Sequence, residues 1–265
     1  MYEFIKDLTD PITHLIKAVL WFLPRTIMCF SVWPLFSQML TGPFLRNGAA
    51  VAIALIPASF YINSVQSVSR TPFDIVLFAL RESAFGLLLG LTTALPFFTF
   101  RAFGAFIDVY RGATFATLID PTTGNDELVT EKLMSFLFTL LIISGPSLML
   151  TVNSLYNSFL VIPPGFSTPE SFRVWVNALV DLFGRHMLYA VILTGPILIG
   201  VFLIEVALSI ISVYAPSLQI YSIEATLKTT AALFILIAML EFAGDDILKV
   251  VNHNIELVNK LFLAK

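Results

Sequence analysis

The residues able to do chemistry in this chain are the few ionisable ones set inside apolar runs: Arg25, Arg81, Glu82, Glu205 and Glu224. A charge at bilayer depth is costly, and it marks either a functional site or a buried pair. Glu224 and Lys228 are spaced i,i+4, so on a helix they can neutralise each other. Glu205 has no sequence-local partner. A proton-relay carboxylate and a polar contact to another helix or subunit both fit it. No HExxH, GxSxG or P-loop pattern is present. His14, His186 and His253 lie in separate regions, so no pair of them shares a helical face as metal ligands. The single cysteine, Cys29, excludes an intrachain disulfide and a cysteine-based metal centre. The expectation is a protein without catalysis, metal or cofactor.

The densest mixture of charge, glycine and aromatic residues is Arg101–Lys132. Asp108 and Arg111 can pair at i,i+3 if this stretch is helical. Asp120-Pro121 is expected to end the helix, because a residue before proline avoids the α region. Thr122-Thr123-Gly124 then makes a turn, and Asn125 or Asp126 caps a new helix with an acidic first turn.

Those residues need long apolar elements to hold them. Of 265 residues, 57% are apolar and 12% charged, and mean hydropathy is +0.88. A soluble domain carries about 25% charged residues, so most of this chain must face lipid or other protein. Six stretches approach membrane-spanning length: Leu15–Leu40, Asn47–Gln66, Ile75–Phe100, Leu133–Leu160, Met187–Val213 and Ile223–Phe242. Runs such as Leu87-Leu88-Leu89 do not alternate as barrel strands do. The fold class read from the chain is therefore all-α, a polytopic membrane protein. The first stretch carries Pro24, Arg25 and Pro34 and follows an acidic start, which predicts a retained, broken helix rather than a cleaved leader.

Thr41-Gly42-Pro43, Ser144-Gly145-Pro146 and Thr194-Gly195-Pro196 predict kinked or split spans. Broken backbone at membrane depth needs protein or a water cavity around it, which favours a packed assembly. Gly86 and Gly90 form a GxxxG seam, and Gly112 and Ala116 repeat the spacing. Ser167 and Glu170 suggest a capping box for an amphipathic surface helix through Arg185, and Asp245–Phe262 reads as a second such helix. Net charge is −3 with no basic tract, so nucleic acid is not an expected partner, and lysines and arginines are too evenly spread to fix orientation.

Two segments resemble a known family. Gly104-Ala105-Phe106-Ile107-Asp108, Arg111-Gly112-Ala113-Thr114 and Asp120-Pro121 resemble the signature of the FliR/SctT export-apparatus subunits of type III secretion systems. Tyr214-Ala215-Pro216-Ser217-Leu218-Gln219-Ile220-Tyr221 resembles the turn between that family's last two apolar helices, with Ser217 and Gln219 where Gln and Asn are usual. The Arg-Gly-Ala-Thr form looks like the injectisome branch rather than the flagellar one, and the resemblance covers essentially the whole chain.

The resemblance implies helical hairpins packed in a larger hetero-oligomeric channel in the bacterial inner membrane. Residues 1–265 would form one domain, with N-terminal helices to residue 186 and a C-terminal hairpin and amphipathic tail from 187. Implied partners are FliP/SctR-type and FliQ/SctS-type small subunits, the FlhB/SctU-type switch protein, the FlhA/SctV-type gate protein, membrane lipid and unfolded secreted substrates. The segment at about Phe106–Asp120 is implied to plug the closed channel. Phe106, Ile107, Tyr110 and Phe115 would exclude water there, while Gly112 and Ala113 would let the segment move. Asp108 and Arg111 would need partners when shut. Ala215, Pro216 and Gln219 mark the second turn. Arg81, Glu82, Glu205, Glu224 and Lys228 are candidate inter-helix or inter-subunit contacts. The alternative reading is a secondary transporter of a small solute, which broken helices and Glu205 would suit, although no inverted repeat is visible.

Overall fold

Unbroken apolar runs leave the backbone to satisfy its own hydrogen bonds, and in a non-aqueous setting the α-helix does so within each segment. The computed structural model describes residues 2–34, 43–60, 71–112, 117–119, 126–145, 147–164, 169–215 and 223–241. Its helices are α1 (Tyr2–Val32), α2 (Pro43–Phe60), α3 (Pro72–Tyr110), α4 (Val129–Ser144), α5 (Ser147–Val161), α6 (Pro169–Tyr214) and α7 (Ile223–Glu241). Between α3 and α4, strands β1 (Thr117–Ile119) and β2 (Asp126–Leu128) pair antiparallel, with Thr117 opposite Leu128.

Threonines in these helices turn their hydroxyls back onto their own backbone. Thr92, Thr99, Thr139 and Thr194 each donate to the carbonyl four residues earlier, which removes an unsatisfied polar group from apolar surroundings. At the start of α3, Thr71 and Asp74 bond reciprocally around Pro72, an N-terminal box with proline at the first helical position.

Among the described residues, four helical stretches are long and apolar enough to cross a membrane: Ile12–Val32, Pro72–Tyr110, Arg173–Tyr214 and Ile223–Glu241. Counting α4 with α5 as one broken span gives up to five. Of the expected second span, Asn47–Gln66, the described part is the shorter apolar helix Phe44–Phe60, and residues 61–66 lie outside the described residues. The chain is a polytopic, all-α membrane protein.

Several sequence expectations need correction. The α1 helix runs unbroken through Pro24. Gly145 does break the helix, taking an extended conformation (φ −100°, ψ 176°) ahead of Pro146, the region that a residue before proline favours. The matching Gly195-Pro196 does not: α6 continues through it for 46 residues. Both prolines follow a glycine and remove one backbone donor, yet only the first site ends its helix. The amphipathic stretch before Arg185 is accordingly not a separate surface helix but the first part of α6. The second proposed amphipathic helix, Asp245–Phe262, lies outside the described residues.

The chain divides into two compact units interleaved along the sequence. One draws on Met1–Ala94 and Leu148–Leu182, the other on Leu95–Ser147 and Phe183–Asn254. In the first, Phe22 packs edge-on to Phe159, Phe85 to Trp175, and Trp21 against Phe78. In the second, Phe103 and Ile107 of α3, Met134 of α4, Ile197 and Val201 of α6, and Ala232 and Leu236 of α7 form one buried cluster.

Candidate functional site: a capped turn at the end of α3

The α3 helix stops at Tyr110, well before the Asp120-Pro121 pair expected to end it. Just beyond, Gly112 takes φ +78°. That left-handed conformation is open to glycine and strained for other residues. The Gly112 amide donates to the Val109 carbonyl at 3.1 Å, closing the helix end. Gly112 therefore ends the helix and turns the chain; Ala116, the other half of the expected small-residue spacing, lies outside the described residues.

The next helix begins at Val129, later than expected, and its N-cap position is Leu128, which offers no side-chain acceptor. Asp126 lies in β2 instead of capping. The missing acceptor comes from α3: Asp108 Oδ2 accepts the amides of Thr130 (2.7 Å) and Glu131 (3.0 Å). These are the two donors that an N-cap side chain ordinarily satisfies. A carboxylate at that end also meets the positive pole of the α4 dipole. The other Asp108 oxygen pairs with Arg111, three residues on. Both side chains are buried, Asp108 completely.

Close backbone approach makes the reach possible. A Cβ at Gly104 would lie 2.6 Å from the Thr130 carbonyl oxygen and 2.8 Å from Glu131 Cα, distances that no side chain fits. One turn earlier, Arg101 donates to Glu131. Below this, Phe100 stacks on Phe138 with centroids 4.5 Å apart, and Thr99 shares a hydrogen bond of 3.0 Å with His186 Nδ1. Among the other expected plug residues, Ile107 is fully buried, Phe106 partly buried, and Tyr110 about half exposed (54%). Ala113, Thr114, Phe115, Asp120 and Pro121 lie outside the described residues, as do Pro216 and Gln219. Ala215 closes α6, its amide bonded to the Ile211 carbonyl at 2.9 Å.

The polar residues inside the spans fall into two groups. Arg81 is exposed. Its neighbour Glu82 is fully buried and pairs with Arg25 of α1, at 2.9 Å from Nε and 2.7 Å from Nη2. Arg25 Nη1 also donates to the carbonyls of Ser158 and Ile162, both at 3.0 Å, and so caps the C-terminal turn of α5. Its guanidinium lies between the rings of Phe85 and Phe159, 4.9 and 4.8 Å from their centroids. The GxxxG seam packs on the same stretch: a Cβ at Gly90 would lie 2.7 Å from the Cys29 carbonyl oxygen, and one at Gly86 would collide with the Arg25 backbone. In the other unit, Lys228 bridges Glu224 and Glu205. Among the described residues, no three His, Cys, Asp or Glu side chains come together as a metal site.

Sequence reasoning missed the Arg25–Glu82 pair and the capping of α4 from outside its own turn. A signal for each was present. Glu82 lies one turn before Gly86, where another helix must come close. Leu128-Val129 opens α4 without any capping residue.

Residues 16–253 match the model of a protein family described as bacterial export proteins, family 1. The chain belongs to that family. Yop proteins translocation protein T of Yersinia pestis is 30% identical over 216 residues, 81% of this chain and 82% of its own length. The surface presentation of antigens protein SpaR of Shigella sonnei is 30% identical over 214 residues, 78% of this chain and 81% of SpaR. The flagellar biosynthetic protein FliR of Bacillus subtilis is 25% identical over 258 residues, 95% and 97% of the two chains. These likenesses bear out the FliR/SctT resemblance and favour its injectisome branch. As an export protein of family 1, the chain is a protein-export apparatus subunit.

Proposed function

We propose that this chain is a core subunit of a type III protein export gate in the bacterial inner membrane. It assembles with FliP/SctR-type and FliQ/SctS-type subunits, beside FlhB/SctU-type and FlhA/SctV-type proteins, into a channel for unfolded secreted proteins. The helices to residue 186 and the hairpin from 187 act as one membrane domain. The segment at 106–120 helps seal the idle channel, and the Asp108 cap is the observation that carries this role. It ties the root of the segment to a rigid helix end through buried, charge-assisted hydrogen bonds, while Gly112 releases the chain into the segment beyond. Relatives named for Yop translocation, antigen presentation at the surface and flagellar biosynthesis support the secretion role.

The test is co-expression with the small helical subunits, mass measurement of the intact complex, and ion conductance of vesicles that hold it. Gly112→Asp, or a deletion within 106–120, should raise the resting leak. Vesicles as tight as wild type refute the sealing role, and a chain that stays a lone monomer refutes the subunit reading. Solute flux by the chain alone would favour the transporter alternative.

A further inference from the structure

The α1 and α3 helices run side by side in the same direction: Trp21 packs on Phe78, Arg25 pairs with Glu82, and the Cys29 backbone meets Gly90. Toward their N-terminal ends lies a cleft of about 330 Å³. Leu20, Trp21 and Pro24 of α1 and Ile75 and Phe78 of α3 wall it, and Lys17 stands at its N-terminal end. Lys17 is exposed and, among the described residues, has no ion-pair partner. Asp74, at the start of α3, accepts instead from the amide and hydroxyl of Thr71. His14, one turn before Lys17, adds a second unmatched group: its buried Nδ1 meets no partner among the described residues. The flanks of the cleft are apolar as well. Ile16 on α1 and Val76 and Leu80 on α3 are exposed, and both helices are candidate membrane spans.

We propose that this cleft holds an anionic phospholipid, with its phosphate on Lys17 and an acyl chain along Trp21, Pro24 and Phe78. Charge and shape together select that occupant. Apolar walls lead away from a single unpaired cation, so the ligand that fits is an amphiphile with a negative head. A protein helix, about 10–12 Å across with its side chains, is too wide for a cleft of this volume. Both walls belong to candidate spans with apolar flanks, so the cleft opens to the bilayer and not to water. A tryptophan beside a lysine whose apolar stem lies along the helix is a pairing suited to the headgroup level. The proposal needs only a chain set in a bilayer, and it stands whether or not the chain seals a channel.

The experiment reconstitutes the full chain, with any subunits that co-purify, in phosphatidylethanolamine vesicles containing a minor fraction of phosphatidylglycerol. In one set the phosphatidylglycerol carries brominated acyl chains; in the other an equal amount of the phosphatidylethanolamine does. Bromine quenches a nearby indole, and the share belonging to Trp21 is the quenching that Trp21→Phe removes. One lysine near a membrane surface favours an anionic lipid by about fivefold. Brominated phosphatidylglycerol should therefore quench Trp21 as well as about five times as much brominated phosphatidylethanolamine. Lys17→Gln should bring the two lipids level, with quenching by phosphatidylethanolamine as in the wild type, and Lys17→Arg should keep the preference. Equal quenching by the two lipids in the wild-type chain, or a preference that survives Lys17→Gln, overturns the proposal. So does the absence of lipid quenching at Trp21, the result if a second copy or another protein covers the cleft.

Discussion

Removing the Asp108 carboxylate tests whether a side chain of one helix holds the next helix in place. In Asp108→Ala, α4 loses the acceptor for its Thr130 and Glu131 amides. Loss of an N-cap of this kind costs about 0.5–2 kcal/mol. Arg111 loses its ion-pair partner, and its Nε already lacks an acceptor among the described residues. Stranding a buried charge costs about 3–5 kcal/mol, and the lower end applies because Arg111 sits at a helix end where it can swing out. The sum is about 4 kcal/mol, and each 1.4 kcal/mol is about tenfold in an equilibrium. Amide hydrogen exchange at Thr130 and Glu131 in the purified complex should therefore speed up by about two to three orders of magnitude, up to the limit set by global unfolding. Asp108→Asn keeps an acceptor oxygen and loses the charge, so its effect should be about tenfold. Arg111→Gln should cost less than Asp108→Ala, because the carboxylate keeps two amides and a helix pole. The double variant Asp108→Ala/Arg111→Gln has no stranded charge and should exchange more slowly than the two single effects predict together. Unchanged exchange at Thr130 and Glu131 in Asp108→Ala, or strict additivity in the double variant, refutes the latch.

Three further outcomes follow from the same geometry. Gly112→Val forces a β-branched residue to φ +78°, a strain of about 1–3 kcal/mol, and should raise the resting leak of vesicles more than Gly112→Asn, which tolerates that region. Gly86→Leu has no room against the Arg25 backbone and should abolish stable accumulation in the membrane on immunoblot, whereas substitution at exposed Gly112 should not. Glu82→Gln strands buried Arg25 and should lower the detergent melting temperature of the complex strongly, by about 3 kcal/mol or more of stability. Replacing both partners, as Arg25→Met with Glu82→Met, should recover much of that loss.

The extent to which the architecture could be read from the chain follows the range of each interaction. Helical character was legible because it depends on runs of local residues. The i,i+3 pairing of Asp108 with Arg111 and the i,i+4 pairing of Glu224 with Lys228 were legible for the same reason. The seam at Gly86 and Gly90 could be recognised, but its partner, the Arg25–Cys29 turn of α1, could not, because nothing local specifies which helix approaches. The end of α3 was misplaced because Asp120-Pro121 looked the stronger stop. Gly112 acts earlier, once the cap at Asp108 and the close approach at Gly104 fix where α4 begins. The fate of the three Gly-Pro sites was not legible. Proline removes the same hydrogen bond at Pro146 and Pro196, yet the helix ends at one and continues through the other.

The same contrast bears on how many times the chain crosses the bilayer. At about 1.5 Å per residue, α3 is about 58 Å long and α6 about 69 Å, each far beyond a hydrocarbon core of about 30 Å. Parts of both helices must therefore lie outside the core, so six apolar stretches do not require six crossings. The broken stretch α4–α5 shows how apolar backbone can be ended without a conventional capping sequence. Within its own unit, α4 has its first amides taken by the Asp108 anion. Within the other, α5 has its last carbonyls taken by the Arg25 cation. Each charge sits at the helix pole of opposite sign. Each is also fully buried and held by a second charge, Arg111 for Asp108 and Glu82 for Arg25. Water would satisfy such helix ends without any help from side chains. Two long-range charged caps are what these termini need if protein or lipid, and not solvent, surrounds them, as in a subunit enclosed by its neighbours.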